Sequence, residues 1–126
     1  KNILVAEDSV LIREGIARLL ELEGFNVFEA NNGEEALEVV SNNEIDMVLT
    51  DIHMPKMDGV ALIEKLNALY EDIPVIAMSS GSTYTKAVYC LEAAKFFGAM
   101  EIIQKPFKSA DLMSLIDRID TAENAL

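Results

Sequence analysis

Five short apolar runs alternate with stretches of helical periodicity, and that alternation leaves this chain few folds. The runs are Ile3-Leu4-Val5-Ala6, Phe25-Asn26-Val27-Phe28, Ile45-Asp46-Met47-Val48-Leu49-Thr50-Asp51, Val75-Ile76-Ala77-Met78 and Met100-Glu101-Ile102-Ile103. Between them apolar residues recur at helical spacing. The first set is Ile12, Ile16, Leu19 and Leu20, with Gly24 as its stop, and the second is Ala36, Leu37 and Val40 after the turn Asn31-Asn32-Gly33. A third carries Val60, Ile63, Leu66 and Tyr70 up to the breaker Asp72-Ile73-Pro74. A fourth helix is expected from Thr83 or Tyr84 to Phe97, and a fifth carries Leu112, Leu115, Ile116 and Ile119.

Strict strand–helix alternation calls for right-handed crossovers and a parallel sheet covered on both faces. The predicted fold is α/β, a flavodoxin-like (βα)5 unit with a five-stranded parallel sheet of order 2-1-3-4-5 and helices on both faces. At 126 residues this is one domain, spanning 1–126, with no output domain and no linker. A start at Lys1, without methionine and directly at a strand, fits a trimmed chain. The small, polar tail of residues 121–126 is expected to fray.

In such a sheet, ligands bind outside the carboxyl ends of the strands, so the residues ending each strand carry the functional argument. Asp51 ends an apolar, β-branched run and is followed at once by Ile52-His53-Met54-Pro55. Glu7 and Asp8 end the first strand, which in this topology neighbours the third. Three carboxylates in one crevice raise each other's pKa unless a cation satisfies them. Oxygen donors without thiolates favour a hard ion such as Mg²⁺, held by one or two carboxylates with water and phosphate oxygens. Ser79 brings a hydroxyl to the end of strand four, and Lys105 a point charge to the end of strand five. Each residue alone has a plainer reading. Asp51 could start a turn, Asp8 or Ser9 could cap a helix, Ser79 could cap a turn, and Lys105 could form an ordinary salt bridge to an acid of the crevice. Their coincidence at the ends of four strands is hard to obtain from capping alone.

Taken together these residues resemble the receiver domain of two-component response regulators over essentially the whole chain. The matching features are Glu7-Asp8, Asp51 with Met54-Pro55 and Met57-Asp58-Gly59, Met78-Ser79, Gly98-Ala99 and Lys105-Pro106-Phe107. The resemblance implies a phosphoryl-accepting switch rather than an enzyme with a separate product. Asp51 would take the group from a phosphohistidine on a sensor histidine kinase or histidine phosphotransfer protein. Asp8, Asp51 and the backbone carbonyl of His53 would hold Mg²⁺, with Glu7 acting through water. Ser79 would hydrogen-bond the phosphoryl group and Lys105 would pair with it, aimed by a cis bond before Pro106. The signal would pass through the face made by the fourth helix, fifth strand and fifth helix to a downstream effector domain or protein.

This sequence also departs from the family. Receivers often carry an aromatic three residues before the lysine, where this chain has Ile102, and an aliphatic side chain cannot make the usual ring flip. The segment from Ser79 to Gly98 is longer than common, and Tyr84 and Tyr89 either stand in for the missing ring or pack in the core. His53, the only histidine, either influences water attack on the phosphoryl group or is a plain exposed loop residue. Cys90 reads as packing, and Met54, Met57 and Met78 as filling core gaps.

Composition narrows the alternatives. A net charge of −12, from 22 acids against 10 bases, repels phosphate backbones and anionic membranes, so no direct nucleic-acid binding and no membrane partner are expected. No apolar run approaches the ~20 residues of a membrane helix, and a lone Cys90 fits a reducing cytoplasm. A flavodoxin-type cofactor carrier would need a phosphate-cradling Ser/Thr/Gly loop where Glu7-Asp8 stand. A phosphohydrolase with an aspartyl intermediate would need an acid where His53 stands. A phosphorylation-independent pseudo-receiver, acting as an interaction module, is the alternative kept open by Ile102.

Overall fold

The computed structural model describes residues 1–54, 56–79 and 98–124. Five parallel strands form one sheet of order β2-β1-β3-β4-β5, as predicted. They are β1 (Asn2–Ala6), β2 (Asn26–Ala30), β3 (Met47–Asp51), β4 (Val75–Ser79) and β5 (Glu101–Gln104). Helices α1 (Val10–Leu22), α2 (Gly33–Asn42) and α3 (Gly59–Leu69) follow the first three strands, and a C-terminal helix (Ser109–Asn124) follows the last. The expected fourth helix lies outside the described residues, as do Pro55, Tyr84, Tyr89 and Cys90.

Alternation along the strands sorts the core into two layers. Leu4, Ala6, Val48 and Ala77 pack with Ala36 and Val40 of α2 and Leu62, Ile63 and Leu66 of α3. Ile3, Val5, Met47, Leu49, Ile76 and Met78 pack with Ile16 and Leu20 of α1 and Leu112, Ile116 and Ile119 of the C-terminal helix. The central strands β3 and β4 are buried at every position, whereas β5 at the edge has no buried position. Ile102 is half-buried and packs against the layer beneath α2 and α3. The methionines behave as predicted: Met78 and Met54 are buried and Met57 packs against the core.

Some boundaries differ from expectation. β2 and β5 sit slightly later in the chain than the apolar runs, because register with β1 and β4, rather than side-chain type, decides which residues pair. Ile12 was expected on the buried stripe of α1 but is exposed. The buried residues of α1 begin at Ile16 and continue with Ala17 and Leu20. The C-terminal helix continues through Asn124, into the tail expected to fray, where the Thr121 hydroxyl donates to the Asp117 carbonyl at 2.8 Å. Gly24, with φ 95°, ends α1 in the left-handed conformation that glycine adopts without penalty. Among the described residues, no helix is long and apolar enough to cross a membrane.

Candidate functional site

Register carries the strand ends to one rim. Ala6 of β1 pairs with Thr50 of β3, and Asp51 pairs with Met78 of β4. Ser79 pairs with Gln104 of β5, so Glu7, Asp51, Ser79 and Lys105 all lie at the same edge of the sheet. The main chain holds them there. Glu7 N–H donates to the Ala30 carbonyl at 3.0 Å, Ile52 N–H to Met78 at 2.9 Å, and Lys105 N–H to Ser79 at 2.7 Å.

Glu7 and Asp51 are buried, at 1% and 4% exposure, while Asp8 is exposed. Each of the three offers a carboxylate oxygen within 4.8 Å of the others. Lys105 closes the cluster from β5. Its Nζ lies 2.5 Å from Glu7 Oε1 and 3.4 Å from Asp51 Oδ2, with the lysine side chain itself 9% exposed. The ordinary salt bridge considered for Lys105 is therefore present, and it is made chiefly to Glu7. The second Glu7 oxygen accepts from Ser9 N–H at 3.3 Å. The Lys105 ammonium offsets part of the cost of burying the Glu7 carboxylate. One lysine against three acids leaves the rim negative.

Capping is supplied elsewhere, which frees the acids. Ser9 caps α1 by accepting from Ile12 N–H, and Asp58 caps α3 by accepting from Ala61 N–H at 2.8 Å. Asp8 carries neither duty. Its pKa is raised above the usual carboxylate value by partial desolvation first, then by the hydrogen bond and the charge of Glu7, with Lys105 opposing. Such a carboxyl gains from any added cation. The all-oxygen donor set of Glu7, Asp8 and Asp51 fits a hard divalent ion such as Mg²⁺.

The end of β4 brings a buried hydroxyl to the same rim. Ser79 is fully buried, and its Oγ has no hydrogen-bond partner among the described residues. The turn or helix that Ser79 could cap lies outside the described residues. The loop after Asp51 is set by close packing. His53 N–H points at Asp51 Oδ1 across 3.4 Å, and the His53 side chain is exposed. Gly59 N–H donates to Ile52 O at 2.7 Å, and a Cβ on Gly59 would stand 2.1 Å from the Asp51 carbonyl oxygen. Only glycine admits that approach. The Lys105–Pro106 peptide is cis, as the resemblance implied.

The sequence reading missed a second layer behind the acids. Arg13 of α1 donates through one guanidinium nitrogen to Glu7 O at 2.8 Å and Asn31 Oδ1 at 3.0 Å, and through Nε to Glu29 Oε1 at 3.1 Å. The available signal was a base five residues beyond an acid pair in a chain short of bases.

The sequence matches the model of the response regulator receiver domain family over residues 3–117. It is 32% identical over 113 residues to the response regulator MprA of Mycobacterium sp. (strain KMS), covering 90% of this chain and 47% of that protein. It is 36% identical over 115 residues to the transcriptional regulatory protein PrrA of Mycobacterium tuberculosis, covering 91% of this chain and 48% of that protein. The chain thus spans about half the length of the curated relatives it matches. The crystal structure of a CheY-like response regulator receiver domain protein from Methanospirillum hungatei superimposes with a TM-score of 0.84 at 30% identity, covering 100% of this chain and 98% of that one.

Proposed function

The chain belongs to the response regulator receiver domains of two-component signalling, and on that premise we propose that it is a phosphoryl-accepting switch with Asp51 as acceptor. The observation that carries this reading is the three-carboxylate cluster closed by one buried lysine at the carboxyl rim. A sensor histidine kinase or histidine phosphotransfer protein supplies the group. An Asp51 carboxylate oxygen attacks phosphorus, the new O–P bond forms as the N–P bond of the phosphohistidine breaks, and the imidazole departs with that electron pair. A carboxylate nucleophile needs no general base. Positioning and charge neutralisation do most of the work in phosphoryl transfer.

Asp8, Asp51 and the main-chain carbonyl of His53 would hold Mg²⁺, with Glu7 acting through water. When bound, the ion supplies the positive charge that lets an acidic rim accept a phosphoryl group. Lys105 exchanges part of its contact with Glu7 for the phosphoryl oxygens, and Ser79, whose Oγ has no partner among the described residues, donates its hydroxyl proton to them. Beside the rim runs an apolar groove of about 610 Å³ lined by residues that include Leu11, Ile12, Ile16, Lys105 and Phe107, suited to a docking phosphodonor. The response leaves through β5 and the C-terminal helix toward an effector domain or protein. Support for that exit is that β5 lacks any buried position and is open to repacking. The net charge of −12 supports an output that does not touch nucleic acid through this domain. Residues 1–126 act as one receiver unit in this reading, without a separate catalytic product.

Intact mass after incubation with acetyl phosphate tests the assignment. One added phosphoryl group is expected with Mg²⁺, none with chelator, and none in Asp51→Asn. Incorporation that persists in Asp51→Asn overturns the acceptor. No incorporation into folded wild-type protein moves the reading to a phosphorylation-independent interaction module.

A further inference from the structure

We propose that Arg13 is a positioning residue for the acid pair, holding the Glu7–Asp8 peptide in the orientation that lets both carboxylates meet Asp51. This rests on the metal-site reading given above. The Glu7 carbonyl and the Asp8 N–H share one planar peptide unit, so a donor fixed on Glu7 O also fixes the direction in which Asp8 leaves the strand. Arg13 is that donor, at 2.8 Å, and its charge makes the bond stronger than a neutral one. The other side of Glu7 is already tied, through its N–H, to Ala30 O.

The guanidinium is itself immobilised. Asn31 Oδ1 accepts from the same terminal nitrogen at 3.0 Å and Glu29 Oε1 accepts from Nε at 3.1 Å, and the Arg13 side chain is only 15% exposed. Asn31 N–H donates to Glu35 Oε1 at 3.0 Å, and Asn32 Oδ1 accepts from Glu35 N–H at 2.9 Å, so the network ends in the capped first turn of α2. That same turn supports the Asp51 loop, because Gly33 packs so closely on Met57 that a Cβ would meet the Met57 carbonyl at 2.7 Å. One helix start thus buttresses both the acid pair and the acceptor loop. A lysine at position 13 would keep the charge but lose the fork that engages three acceptors at once.

Groups that orient metal ligands from behind typically cost 10–100-fold in metal affinity when removed. The test is Mn²⁺ binding, read by water-proton relaxation on the full chain, at temperatures where urea titration shows each variant folded. Arg13→Ala is expected to raise the Mn²⁺ dissociation constant by about tenfold or more, and Arg13→Lys is expected to rescue little of it. If Arg13→Ala does not fold, Glu29→Gln and Asn31→Ala loosen the guanidinium instead, and weaker Mn²⁺ binding in them supports the proposal. Unchanged affinity in a destabilised but folded variant makes Arg13 merely structural and overturns it. Wild-type protein that binds no Mn²⁺ overturns the metal-site reading itself, a result distinct from wild-type binding that Arg13 does not influence.

Discussion

The interior of the sheet and the Glu7, Asp51 and Ser79 side chains at its carboxyl rim are buried to a similar degree, yet burial has opposite consequences in the two. Leu4, Val48 and Ile76 are fully enclosed, and removing each from water stabilises the fold by roughly 1.5–3 kcal/mol. Glu7, Asp51 and Ser79 are enclosed to nearly the same degree, but there desolvation is a cost, offset for the acids by Lys105 and for Ser79 by no partner among the described residues. The fold tolerates a poorly satisfied rim because the interior holds it in place. In the proposed switch, a bound divalent cation and a phosphoryl group would offset that cost. Stability and signalling chemistry are therefore separable by position along a single strand: β3 passes from Met47, Val48 and Leu49 to Asp51 within five residues.

The largest effect is expected where the rim's own compensation is removed. Lys105→Met leaves the buried Glu7 facing two carboxylates without a cation, and breaking such a pair costs about 3–5 kcal/mol. Urea unfolding with chelator measures it, and Mg²⁺ should restore much of the loss, since a ligand that binds only the folded state stabilises it. If Mg²⁺ restores nothing, the rim is not waiting for a cation and the contrast with the interior fails. An interior counterpart, Leu66→Ala, should cost about 2–5 kcal/mol through lost burial and a cavity beneath α3. Mg²⁺ should recover none of that cost beyond the stabilisation seen in wild type.

Gly59→Ala probes the seam between the regions. The new Cβ would stand 2.1 Å from Asp51 O and 2.6 Å from Ile52 Cα, so the loop after β3 must shift. Overpacking of this kind costs about 1–3 kcal/mol. Unlike Leu66→Ala, it should also slow phosphoryl uptake from acetyl phosphate, because the displaced backbone carries the acceptor. Loss of stability with unchanged uptake would assign Gly59 wholly to the interior.

The same contrast explains what could be read before any coordinates existed. Strand order, the two-sided core and the meeting of Glu7, Asp8 and Asp51 follow from alternation and topology, which one sequence displays openly. Ile12 shows the limit: helical periodicity defines a stripe but not how far along it the packing against the sheet extends, and Ile12 stays exposed. Arg13 was illegible for a related reason, since its partners Glu29 and Asn31 come from another strand end and only β1–β2 register brings them near. The closeness of Gly33 to Met57 and of Gly59 to Asp51 is likewise a distance that no local pattern encodes.

The smallest effect concerns the one acid of the trio that is exposed. Asp8 has its pKa raised above the ordinary 3.8, by partial desolvation and by Glu7. In the pH interval just above 3.8 the folded chain keeps a proton on Asp8 that the unfolded chain has released, so stability falls as pH rises through that interval. At neutral pH the whole penalty is present. Asp8→Asn should therefore be slightly more stable than wild type at neutral pH in chelator, and its stability should rise less on acidification into the carboxylate range. Urea midpoints across that range measure both differences. Adding Mg²⁺ at neutral pH should reverse the order, because the ion favours the charged carboxylate that the asparagine lacks. An Asn variant that stays ahead of wild type in saturating Mg²⁺ would remove Asp8 from the metal site and leave it as one more acid on an acidic surface.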